Sequence, residues 1–209
     1  FEPDLRNFRI LEKNIALSPY RKNIKSFKMA VSNKNGLEQF FVATRANLNK
    51  LSFGYNGNFI KPHDIEKIEV VKTITIDSFS TQKKISIDFV RMDIEGCEVE
   101  VFQGMEKVFN NAKSGFKVLL ELHPHAYSDE RSFSEELQKL FKLGFFTKVL
   151  ISASEIQPPK YKELGYTPEK KIETDGFIRG WYNNVTNEDS ISLSCSQPKA
   201  TRYLLLEKR

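Results

Sequence analysis

An α/β fold on a mostly parallel open sheet is what this sequence predicts, and three observations predict it. Residues 85–104 pass from β-branched and apolar side chains (Ile85, Ile87, Phe89, Val90, Met92) through an acidic turn into a helical face (Val101, Phe102, then Met105, Val108 and Phe109), which is half of a βαβ unit. A second buried-strand pattern, Phe116–His123, follows after a short connection and is stopped by Pro124. Helix and strand patterns then alternate again as far as Ile151.

Size and composition narrow the class. The 209 residues suffice for one α/β domain with a sizeable core, and 40% hydrophobic against 28% charged is the balance of a soluble globular chain, not a disordered one. No apolar run nears the ~20 residues of a membrane span, and the first residues lack the basic, apolar and small-residue succession of a secretory signal. The formal charge is +5, but the basic residues fall in scattered groups (Arg21, Lys22, Lys25, Lys28; Lys83, Lys84; Lys170, Lys171). That reads as a solvated surface and argues against nucleic-acid binding. Cys97 and Cys195 are isolated thiols without metal-ligand spacing, which suits a reducing, cytoplasmic setting.

Taken in order, Phe1-Glu2-Pro3 reads as the tail of a strand, after which Asp4 can cap a helix with Leu5, Phe8, Leu11 and Ile15 on its inner face. Residues 24–32 read as a strand running into the turn-forming Asn33-Lys-Asn-Gly36. Residues 40–44 and 70–76 read as a strand pair flanking a polar excursion. Within it, Gly54, Tyr55, Asn56 and Gly57 mark residues 47–61 as a loop able to wall an acceptor pocket. Ser132-x-x-Glu135 is a capping box opening a helix that turns Phe133, Leu137, Leu140 and Phe141 inward; Gly144 ends it, and residues 145–151 form another strand. The prolines and glycines of 152–180 read as a looped insertion, and Tyr203–Leu206 as the last strand.

Chemistry concentrates at strand ends. In open α/β sheets ligands bind beyond the carboxyl ends of the strands, which is where Asp93 and Glu95 fall. Both precede the helix, so complementing its dipole explains them poorly; for Glu98 and Glu100, in the first turn, that explanation and a site role stand level. Glu121 and His123, two apart, point to one face of their strand, and imidazole suits proton removal near neutral pH. Glu2 ends a strand as well. A carboxylate there can cap the following helix or accept hydrogen bonds from both ribose hydroxyls of a nucleoside.

Val90-Arg-Met-Asp-Ile-Glu-Gly-Cys-Glu98, with Thr75-Ile-Asp-Ser-Phe79 before it and Gln103-Gly104 after it, resembles the fourth-strand signature of the FkbM family of S-adenosylmethionine-dependent methyltransferases. Phe1-Glu-Pro-Asp-Leu-Arg-Asn7, Ala30-Val-Ser-Asn-Lys-Asn-Gly36 and Glu121-Leu-His-Pro124 resemble further landmarks of that family in the expected order, so the likeness runs from residue 1 to about residue 150. It implies a Rossmann-like class I methyltransferase sheet with an antiparallel C-terminal strand. It also implies S-adenosylmethionine as cofactor, held by Glu2 at the ribose, by Ala30, Val31 and Ser32 around the adenine, and by Asp93 at the methionine portion or the acceptor. His123 or Glu95 would be the base, and the acceptor a hydroxyl of a sugar or lipid-linked glycan. Asp93, Glu95 and Glu121 offer hard oxygen ligands, yet acids two apart are common on turns, so a divalent cation stays open and no metal ligand is assigned. The family's central first strand and glycine-rich loop have no counterpart, so residues 1–209 are expected to be a single N-terminally truncated domain. An NAD-binding oxidoreductase and a non-catalytic scaffold are the rival readings; the first needs a Gly-x-Gly-x-x-Gly turn, which this sequence lacks.

Overall fold

A computed structural model of the chain describes residues 1–44, 49–52, 62–196 and 198–209. Of the predicted loop at 47–61, residues 47–48 and 53–61 lie outside the described residues, and within the described part Lys50–Leu51 is a short strand, not loop, because it pairs with residues 40–41. Helix α1 (Leu5–Leu17) starts where Asp4 Oδ1 accepts the amides of Arg6 and Asn7 at 2.8 and 2.9 Å. Its apolar face half-buries Phe8, Leu11 and Ile15 and leaves Leu5, Ile10 and Leu17 exposed.

Two sheets follow, and among the described residues no ladder joins them. The first has the order β1-β4-β2-β3, from β1 (Ala30–Val31), β2 (Gly36–Ala43), β3 (Lys50–Leu51) and β4 (Ile65–Ile74). β1 pairs parallel with β4, and β2 lies antiparallel to β4 and β3. Two expectations need correction here. The strand predicted over 24–32 shrinks to two residues because Met29 N bonds back to Phe27 O, which turns the chain out of the extended ladder. Residues 1–3 form no strand either; Glu2 N makes a single bond to Phe27 O.

The second sheet has the order β5-β6-β10-β7-β9-β8. Its strands are β5 (Phe89–Met92), β6 (Lys117–Glu121), β7 (Phe145–Ser152), β8 (Lys170–Thr174), β9 (Phe177–Tyr182) and β10 (Thr201–Lys208). β5 and β6 are parallel, and the C-terminal strand β10 runs antiparallel between β6 and β7. The sheet is therefore mixed, not mostly parallel, because β10 reverses direction at its centre and β9 and β8 extend it antiparallel. Those last two strands replace the predicted looped insertion. Asp175 and Gly176, both at positive φ (52° and 74°), join them in a two-residue turn of the kind that matches strand twist in a hairpin.

The remaining helices are α2 (Ile76–Lys83), α3 (Glu98–Gln103), α4 (Glu106–Asn110), α5 (Phe133–Lys142), α6 (Pro159–Glu163) and α7 (Asn187–Ser194). None of the described helices is long and apolar enough to cross a membrane. Phe102, Phe109, Phe116, Phe133 and Phe145 interlock in the core beside Val118, Leu120, Leu204 and Leu206. A smaller core (Ala30, Phe40, Val42, Leu51, Val71, Cys97) underlies the first sheet, and Ile94 packs against both.

Polar bonds fasten the two halves together. Thr75 caps α2, and its own amide donates to Asn35 Oδ1 at 2.9 Å. Asp77 accepts the amides of Lys107 and Val108 at 2.9 Å each and so caps α4, while Asn33 Nδ2 donates to Gln103 Oε1 at 3.0 Å. A Cβ on Gly104 would overlap the Ser32 carbonyl oxygen, so glycine is what permits α3 to end against the exit of β1.

Candidate functional site

β5 delivers its chain to the carboxyl edge of the sheet at Met92, and residues 93–97 make the turn into α3. Glu95 (φ 53°) and Gly96 (φ 97°) are successive left-handed residues there. Gly96 is sterically required, since a Cβ would overlap that of Ala126, whereas Glu95 adopts a conformation costly for a side-chain-bearing residue and so has its carboxylate aimed by the fold. Arg131 braces the turn from outside by donating to Gly96 O at 2.7 Å and, through Nε and Nη2, to both Glu100 oxygens at 2.6 and 2.8 Å.

His123, just past the end of β6, is the hub. It is 4% exposed, and its Nδ1 lies 2.7 Å from Oε1 of the fully buried Glu98. Glu98 also accepts from Gly96 N at 3.3 Å and from Tyr127 OH at 3.4 Å. On the other side of the ring, Nε2 faces Glu95 Oε2 at 3.5 Å and Glu121 Oε1 at 3.8 Å. One donor atom each from Asp93, Glu95 and His123 falls within 4.8 Å of the others. Lys50 reaches in from the first sheet, its Nζ 3.1 Å from Glu95 O, and Arg202 pairs with Glu121 at 2.5 Å.

Burial sets the electrostatics. It is the largest cause raising the carboxyl pKa values of Glu95 and Glu121, as it is of lowering that of Lys50. His125, whose ring stands 5.9 Å from that of His123, is pushed down to about 4 by burial and by its neighbour, so it stays neutral near pH 7. Cys97 is pushed up to about 12 by burial and is no nucleophile at that pH.

A hollow of about 300 Å³ opens beside the turn, between the two sheets. Glu2, Ala30, Val31, Phe40, Leu51 and Asp93 line it, with Lys50 and Glu95. Glu2 and Asp93 therefore face one space. Glu2 spends Oε1 on the Asp4 amide at 2.8 Å, which makes it a helix-capping group as well, and burial raises its pKa. Ser32 stands apart: fully buried, it donates its amide to Ile74 O and does not line the hollow. His123 adjoins the hollow through Glu95.

Glu98, Lys50, Tyr127 and Arg131 were not singled out as site residues from sequence. For Glu98 and Glu100 the first-turn dipole account gives way to specific partners, His123 and Arg131. The three-residue step from Glu95 of Asp93-x-Glu95 to Glu98, across Gly96, was the available signal. Lys50 carried none, since its approach depends on the pairing of β3 with β2.

A family model described as the methyltransferase FkbM domain matches residues 1–147, a span that contains all of these groups except Arg202. No curated protein and no solved structure matches the chain.

Proposed function

The chain belongs to the FkbM methyltransferase domain family, and from that premise we propose that it transfers the methyl group of S-adenosylmethionine to a hydroxyl oxygen of a sugar or glycan. The observation that carries this reading is the shared hollow: two carboxylates, Glu2 and Asp93, face one cavity of about 300 Å³ with a small apolar wall between them. The donor set fits the cofactor. A carboxylate has about four acceptor sites, so Glu2 keeps capacity for ribose hydroxyls after receiving the Asp4 amide. Ala30 and Val31, with Phe40 and Leu51, offer an apolar face for a purine, while Ser32 lies outside the hollow. Asp93 serves the methionine portion or the acceptor.

When bound, S-adenosylmethionine supplies a methyl group activated by its sulfonium. The residues of this chain then have to align an acceptor and ease the loss of its proton. Glu95 lines the hollow and His123 stands behind it, 3.5 Å from its carboxylate, so this pair is where that loss is eased. A dehydrogenase reading loses ground to the family match, and a scaffold without cofactor remains the outcome to test against.

Calorimetric titration with S-adenosylmethionine tests the proposal. Glu2→Ala is expected to weaken binding by about 1.5–3 kcal/mol, the range for a hydrogen bond to a charged group. An unchanged dissociation constant removes Glu2 from the ribose, and absence of any binding to the unaltered protein favours the scaffold.

A further inference from the structure

We propose that Asp93, Glu95 and His123 form a divalent-cation site at the acceptor end of the hollow, with Glu98 as the group that orients the imidazole. The inference rests on reading this hollow as the methyl-transfer site and specifies how the acceptor loses its proton. Three donor atoms within 4.8 Å of one another nearly match the spacing of ligands on a common ion. At bonds of roughly 2.1 Å, two ligands lie about 3.0–4.2 Å apart, so modest side-chain rotation closes the shell.

A separate observation points to a cation there. Glu98 is fully buried and receives Nδ1 of His123 at 2.7 Å, which puts the ring proton on Nδ1 and turns the lone pair of Nε2 into the cluster. The polar atoms facing that lone pair are themselves acceptors, Glu95 Oε2 at 3.5 Å and Glu121 Oε1 at 3.8 Å. A second ring proton would answer this poorly, because 3.5 and 3.8 Å are too long for a good N–H···O bond. A metal ion answers it well, because 3.5 Å is a normal separation for two atoms bound to the same ion. The carboxylate–histidine–metal relay formed by Glu98 and His123 is the arrangement that fixes imidazole ligands elsewhere.

One imidazole nitrogen with two carboxylates suits a first-row cation of mixed preference such as Mn²⁺. An acceptor hydroxyl reaching such an ion becomes more acidic. Its proton leaves to solvent, its oxygen pair forms the new bond to the methyl carbon, and the pair of the broken carbon–sulfur bond returns to sulfur. His123 is then a ligand, not the base, and Glu121 stays in the outer ring, paired with Arg202.

Titrating Mn²⁺ into the chelator-treated full chain, with free ion followed by electron paramagnetic resonance, tests the site. The expected result is one saturable ion per chain, with Glu95→Gln and His123→Ala each weakening it tenfold or more. Glu98→Gln should weaken it by about 10–100-fold with an unchanged circular-dichroism spectrum. Glu95 is partly exposed, so its variant gives an answer even where His123→Ala does not fold. Absence of saturable binding, or equal binding by the Glu95→Gln protein, overturns the site. S-adenosylmethionine is titrated in parallel under chelator. If it binds and Mn²⁺ does not, the cation is refuted and the methyl-transfer reading stands; if Mn²⁺ binds and it does not, the hollow is a metal site outside that reading, and the proposal fails in its stated form.

Discussion

The two sheets are built from similar residues yet bury them differently. In the six-stranded sheet, β10 is flanked on both edges, and Leu204, Leu206, Val118 and Leu120 are wholly enclosed. In the four-stranded sheet β4 alternates, with Val71 and Thr73 inward and Ile68, Val70 and Lys72 outward. One body is packed through and the other on one face. The hollow draws on both: Glu2, Ala30 and Val31 come from the one-sided half, and Asp93, Glu95 and His123 from the enclosed half. Its shape thus depends on how firmly the halves are joined, and not only on how stable either one is.

A matched pair of truncations can break this contrast. Leu120→Ala, in the enclosed sheet, should cost about 3–5 kcal/mol, because its surroundings cannot collapse into the space left. Leu51→Ala is expected to cost ~2 kcal/mol or less, since Leu51 already borders the hollow. Denaturant midpoints measure both, and equal losses would mean that the two cores are packed alike.

Gly104→Ala sharpens the point about the join. The new methyl group would meet the Ser32 carbonyl, which belongs to the other half, so α3 and the exit of β1 must separate. A cost of about 1–3 kcal/mol is expected, and S-adenosylmethionine affinity should fall with it, although Gly104 touches no part of the hollow. Lost stability with intact affinity would show that the halves can shift without distorting the pocket.

The same division decides what could be read from the sequence. Periodicity located β5, β6, β7, α5 and β10, because enclosed strands and two-sided helices leave unbroken apolar patterns. The capping box at Ser132 is a local signal and became a cap. Strand direction left no local signal: the antiparallel course of β10 was implied only by the family resemblance, and its place between β6 and β7 is settled by pairing that reaches across more than eighty positions. The Asp175-Gly176 hairpin was written in the chain but obscured by surrounding prolines. In the site, the acids of the turn and His123 were legible as residue types at strand ends. The partnership of Glu98 with His123 joins positions 25 apart and follows only from β6 lying beside β5.

The smallest expected effect tests the outward face itself. Val70 is 66% exposed and pairs with Gln39, and the exposed Leu37 and Ile68 lie on the same side of the sheet. Val70→Thr keeps the branched side chain that the strand favours and adds a hydroxyl that water can satisfy, so thermal unfolding should move by no more than about 0.5 kcal/mol. A hydroxyl is costly only where no partner reaches it. A loss above ~1 kcal/mol would therefore place Val70 against something that excludes water, and the sheet would be covered on both faces after all.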